Sequence, residues 1–139
     1  MSYTLFFDGA CPGNPGPCGA GFVIFDKDQK IIYEGSVFLG HNTNNFSEYS
    51  SLKLGLKKLI ELNLCDFSIS VFGDSNLVIK QTNEEWSVKS DNLKNLNKEV
   101  LTLKKMFKNI TFSHVYRDKN SHADRLANKA LVSFINKKL

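Results

Sequence analysis

AGFVIFDKDQKIIYEGSVFLGHNTNNFSEYSSLKLGLKKLIE, residues 20–61, changes its apolar period part-way along, and that change decides the fold class. Residues 20–26 (AGFVIFD) and 31–38 (IIYEGSVF) are rich in β-branched and aromatic side chains, which predicts two strands. Only the charged, turn-like DKDQK separates them, so antiparallel pairing is expected. From Ser47 onward Tyr49, Leu52, Leu56, Leu59 and Ile60 recur at three- and four-residue spacing, with Lys53, Lys57, Lys58 and Glu61 on the other side. That spacing predicts an amphipathic helix.

Working upstream, residues 3–8 (YTLFFD) read as a first strand that stops at Asp8-Gly9. The stretch DGACPGNPGPCGAG, residues 8–21, then carries three prolines and repeated glycines, which forbid helix and imply a backbone bent into a particular shape. Downstream, residues 69–73 (ISVFG) form a fourth strand ending at Asp74, and Asp74 or Ser75 can cap a short helix, SNLVIKQ. A third helix spans about residues 91–107 with Leu93, Leu96, Val100, Leu103 and Phe107 inward. Residues 110–116 (ITFSHVY) give a fifth strand, and a last helix starts near Ser121 with Leu126, Ala127, Ala130, Leu131 and Phe134 inward. The order β-β-β-α-β-α-α-β-α predicts one α/β domain over residues 1–139, a mixed five-stranded sheet with helices on both faces.

The bulk numbers agree with a single globular domain: 139 residues, 42% hydrophobic and 23% charged. No apolar run of about 18 residues exists and MSYTLFFDG lacks a basic leader, so a cytoplasmic location with no membrane contact is expected. Cys11, Cys18 and Cys65 are odd in number and lack C-x-x-C spacing, which reads most simply as reduced thiols, with Cys18 an inert small hydrophobe. The net charge of +4 is compatible with a polyanionic partner without demanding one.

Asp8 and Asp74 each end an apolar strand, and right-handed crossovers can place the first and fourth strands side by side, about 4.8 Å apart. Carboxylates so placed repel unless a cation neutralises them. Glu48 and Asp124, each read as lying in the first turn of a helix, can reach the same sheet edge, and an all-oxygen set favours Mg²⁺ or Mn²⁺. Each acid also has a plainer explanation: Asp8-Gly9 as a turn, Asp74 as a cap, Glu48 as a dipole partner, and Asp124 as the end of a capping box opened by Ser121.

Four stretches in order resemble type 1 ribonuclease H over nearly the whole chain: DGACPGNPGPCGAG, TNNFSEYSSLKLGL (43–56), GDSNLVIKQ (73–81) and NSHADRLANKAL (120–131). The resemblance implies an endoribonuclease that cuts the RNA strand of RNA/DNA hybrids, leaving 5′-phosphate and 3′-hydroxyl ends. It implies two metal ions, Mg²⁺ with Mn²⁺ as the alternative, about 3.5–4 Å apart. Asp8 would bridge both, Asp124 would help to hold one, and Glu48 and Asp74 the other. For reading the 2′-hydroxyl it implies Gly9, Ala10, Cys11, Asn14, Asn44, Asn45 and Asn76. Thr43 and Asn14 match positions that grip a DNA-strand phosphate, and Trp86 matches an aromatic of the DNA channel.

The chain departs from that pattern twice. Many relatives insert a basic handle where EEWSVKSDNLKNL here passes almost directly from Trp86 into the next helix, so the chain looks most like the short, archaeal-type branch. The linker YRDKNSHAD is also short, and neither His114 nor His122 matches the mobile-loop histidine; Arg117, a permanent cation at the strand end, is the preferred substitute. The expected partner is an RNA/DNA hybrid, with double-stranded RNA a further candidate and the protein a monomer. The competing readings are a hybrid-binding module without turnover and a related superfamily nuclease acting on branched DNA.

Overall fold

The computed structural model describes residues 2–138. Five strands, β1 (Ser2–Ala10), β2 (Gly16–Phe25), β3 (Ile31–Asn42), β4 (Ser68–Gly73) and β5 (Asn109–His114), form one sheet in the order β3-β2-β1-β4-β5. β1 pairs antiparallel with β2 and β2 antiparallel with β3, whereas β1–β4 and β4–β5 are parallel. Four helices, α1 (Asn44–Glu61), α2 (Asn76–Thr82), α3 (Asp91–Lys104) and α4 (Ser121–Lys138), complete the expected order.

The two faces of the sheet follow strand alternation. On one face Leu5, Phe7, Phe22 and Ile24 meet Tyr49, Leu52, Leu56 and Leu59 of α1 and Leu93, Leu96 and Val100 of α3 in a continuous core. Burying each such side chain contributes about 1.5–3 kcal/mol. α4 covers the other face through Ala123, Leu126, Ala127, Ala130 and Leu131, and Phe134 stacks on Phe38. Gly21 makes this approach possible, because a Cβ there would strike the backbone of Ala123 and Ala127. The mixed sheet with helices on both faces is thus as expected.

The boundaries differ where hydrogen bonding overrides composition. β2 begins at Gly16, inside the Gly/Pro stretch, and β3 runs on to Asn42, because Gly16 and Asn42 are ladder partners. α1 begins at Asn44, three residues before the apolar period, since the Thr43 hydroxyl accepts from the Phe46 N–H at 3.3 Å and caps it. Glu48 therefore lies in the second turn of α1, and the helix-dipole explanation for it falls away. Ser121 opens α4 as a helical residue, and the Asp124 N–H donates to the Asn120 carbonyl at 3.1 Å, so the capping box expected of Ser121 gives way to a helix that starts from Asn120. α3 ends at Lys104, yet Phe107 beyond it is still buried. No helix among the described residues is long and apolar enough to cross a membrane.

Candidate active site

β1 and β4 run parallel with Phe7 opposite Gly73, so the next residues, Asp8 still within β1 and Asp74 just past the end of β4, lie side by side. α1 then carries Glu48 over the same edge. One carboxylate oxygen from each of Asp8, Glu48 and Asp74 lies within 4.8 Å of the others. Asp124, in the first turn of α4, faces the same cleft and helps to raise the Asp8 carboxyl. All four acids line one open cleft of about 440 Å³, together with Gly9, Ala10, Cys11, Asn44, Asn45 and Arg117.

Burial sets the electrostatics. Asp8 is 4% and Glu48 8% exposed, and the Glu48 Oε2 atom has no hydrogen-bond partner. Burial, then the hydrogen bond and charge of Glu48 and the charges beyond it, push the Asp8 carboxyl up to about 11. Burial likewise lifts Glu48, to about 7, against the pull of Asp8, of the Gly9 N–H and of the Arg117 guanidinium. The Gly9 N–H donates to Glu48 Oε1 at 2.9 Å and fixes that carboxylate to the end of β1.

The remaining expected residues divide into those at the cleft and those beside it. Asn14 lies outside the cleft lining, and its Oδ1 accepts the Asn44 N–H at 2.9 Å, tying the Gly/Pro turn to the start of α1. Thr43 caps α1 with its hydroxyl oxygen, outside the cleft lining, and Asn76 is the exposed first residue of α2. Ser75, which caps α2, lines the cleft in Asn76's place. Trp86 is 46% exposed on the segment between α2 and α3, outside the cleft lining. His114 ends β5 with its ring edge against Tyr116, and His122 Nε2 pairs with Glu34 at 2.6 Å. Both are engaged away from the acids.

Two asparagines were not read as site residues. Asn128 Nδ2 donates to Asp124 Oδ1 at 3.2 Å and lines the cleft. Its four-residue spacing from Asp124 on a helix was the available signal. Asn120, 1% exposed, donates to the Phe7 carbonyl at 2.8 Å and so joins the end of β1 to the start of α4.

The reduced state expected for all three cysteines is corrected by a Cys11–Cys18 disulfide; only Cys65 is free. The return of the chain at Gly16 brings the two Cα atoms to 4.3 Å, a closeness that the seven-residue separation does not reveal. Cys18 is therefore a cross-link rather than an inert hydrophobe. Closing so short a loop restrains the unfolded chain by about 2.5 kcal/mol. Thiol titration of the unfolded, unreduced protein should accordingly find one reactive thiol, rising to three after dithiothreitol, with a lower denaturation midpoint; three thiols before reduction would contradict the bond.

Residues 6–130 match a family of protein domains described as reverse transcriptase-like. The crystal structure of ribonuclease H1 from Halobacterium salinarum superposes with a TM-score of 0.90 at 35% identity, over 96% of this chain and 99% of that one. The chain belongs to the type 1 ribonuclease H family. The structure of LC11 ribonuclease H1 in complex with an RNA/DNA hybrid is similarly close, with a TM-score of 0.91 at 33% identity over 96% of this chain and 99% of that one. A bifunctional protein of Mycobacterium tuberculosis, Rv2228c, is 35% identical over 132 residues, which cover 94% of this chain and 36% of that protein. The chain thus spans about a third of the length of that relative.

Proposed function

We propose that this chain is an endoribonuclease that hydrolyses the RNA strand of RNA/DNA hybrids, with divalent cations held by Asp8, Glu48, Asp74 and Asp124. The observation that carries this reading is the buried Glu48 Oε2 without a partner, beside Asp8 and Asp74 oxygens within 4.8 Å. Unpaired buried carboxylates cost stability unless a cation neutralises them. The donor set is all hard oxygen, which suits Mg²⁺ and accepts Mn²⁺. Asp8, whose carboxyl is acted on by Glu48, Asp74 and Asp124 alike, is the member that would help to hold every ion bound here. Bound there, such ions supply an acidified water and charge neutralisation at phosphorus for in-line displacement.

The chain's own groups hold the substrate. Arg117, a permanent cation at the cleft, would attract the scissile phosphate where no histidine lines the site. The backbone of Gly9 to Cys11 and the side chains of Asn44 and Asn45, all at the cleft, would read the 2′-hydroxyl that separates RNA from DNA. Asn14, Thr43 and Asn76 would grip the strands just outside it, and Trp86 would lie against the DNA strand.

A relative solved with an RNA/DNA hybrid supports this choice of substrate. The test is a parallel digestion of labelled RNA/DNA hybrid, double-stranded RNA and branched DNA with Mg²⁺ and with Mn²⁺. Cleavage of the hybrid's RNA strand to 5′-phosphate and 3′-hydroxyl ends is expected, and the double-stranded RNA arm shows whether that candidate is cut as well. Preferential cutting of branched DNA, or binding of hybrid without cutting, would overturn the reading.

A further inference from the structure

Directly behind the cleft, a chain of polar groups crosses an otherwise apolar core. Tyr49, the residue after Glu48, is fully buried, and its hydroxyl donates to Gln81 Oε1 at 2.6 Å. Asn97 Nδ2 of α3 donates to the same hydroxyl at 3.1 Å. Gln81, 5% exposed, uses its amide nitrogen to hold the Ser87 carbonyl at 3.3 Å. One continuous path thus runs from the helical turn carrying Glu48 to the residue next to Trp86.

The segment that this path reaches has little regular structure of its own. Residues 83–90 are neither helix nor strand. The segment turns back at Glu84, whose φ of 61° is left-handed, so that the N–H groups of Glu85 and Trp86 both point to the Lys80 carbonyl. Asn83 Nδ2 anchors its start to the Phe112 carbonyl of β5 at 3.0 Å. Beyond Trp86, the Gln81 bond to Ser87 and the half-buried Val88 tie the segment to the core.

Folding alone does not call for these groups, since apolar residues of the same shape fill a core at no loss of stability. A satisfied buried network instead fixes one arrangement of the elements it joins. We propose that Tyr49 and Gln81 are positioning residues, holding the Trp86 segment at a set distance from the carboxylates so that the DNA strand is gripped in register with the cut. This rests on the reading of Trp86 as a DNA-strand contact.

Steady-state kinetics on an RNA/DNA hybrid test it, using Tyr49→Phe, Gln81→Met, Trp86→Ala and the doubles with Trp86→Ala. Tyr49→Phe removes one oxygen and keeps the ring, so the test stays open if Gln81→Met lowers stability. Each bridge variant should raise KM about fivefold, the effect of one hydrogen bond, with kcat changed less than about twofold. In the Trp86→Ala background the same substitutions should leave KM where Trp86→Ala alone puts it. If Trp86→Ala raises KM and folded bridge variants do not, or if their effects add fully to that of Trp86→Ala, the bridge role is overturned and the Trp86 contact stands. If Trp86→Ala leaves KM unchanged, the contact itself is wrong and the bridge role goes with it.

Discussion

Asp8→Asn is expected to abolish hybrid cleavage while raising the melting temperature of the metal-free protein. The loss should be at least about 10³-fold, since metal-held charge stabilisation is worth several kcal/mol and each 1.36 kcal/mol is tenfold. The gain in stability follows from the protons. The folded state lifts Asp8 to about 11 and Glu48 to about 7, from ordinary values of 3.8 and 4.5. A raised carboxyl binds its proton more tightly when folded, so the stability it contributes is fully present below about pH 4 and is lost as pH rises through the folded values. In EDTA the wild-type melting temperature should therefore fall between pH 5 and pH 9 more steeply than that of Asp8→Asn.

Divalent cations reverse this, because they compete with the protons for the same oxygens. Adding Mg²⁺ should raise the wild-type melting temperature more at pH 8 than at pH 5, and barely move that of Asp8→Asn. Calorimetry across pH with and without Mg²⁺ makes the comparison. Equal pH slopes for the two proteins, or a metal effect unchanged by the substitution, would contradict the account.

Gly9→Ala is the second large effect, and it acts through the backbone. A Cβ at this position would collide with Ser47 Oγ, the Ser47 carbonyl carbon and the Glu48 nitrogen, so α1 must move away from β1. The Gly9 N–H bond to Glu48 Oε1 would loosen with it. A displacement of about 1 Å at a reacting site costs about 10²-fold in rate, and overpacking costs about 1–3 kcal/mol. Single-turnover cleavage and a urea midpoint measure the two; unchanged values in both would mean that β1 and α1 are not held as closely as described.

Part of this site was legible in the sequence. Asp8 and Asp74 could be placed together because each reads as the end of an apolar strand and the crossover rule makes those strands neighbours; the Phe7–Gly73 register bears out the pairing, although β1 runs on past Asp8 to Ala10. Glu48 was placed at the right edge but one turn too early, since Thr43 caps the helix ahead of the apolar period that announced it. Its depth could not be read, because burial of an acid depends on what packs over it. The disulfide was hidden for a related reason: composition made residues 8–21 a loop, whereas ladder bonds to β3 turn the chain back at Gly16. Asn120 and Asn128 stand inside the motif NSHADRLANKAL, yet only the second was legible as a site residue: Asn128 lies one helical turn from Asp124, whereas the Phe7 carbonyl that Asn120 holds is brought to it by the tertiary fold.

The most direct measurement is a time course of an end-labelled RNA strand annealed to DNA, with Mg²⁺ and with EDTA, for the wild type and Asp124→Asn. Internal cleavage of the RNA by the wild type is expected with Mg²⁺ alone, and none by Asp124→Asn under either condition. Cleavage that persists in EDTA or in Asp124→Asn, or an intact RNA strand in the wild-type reaction, would contradict it.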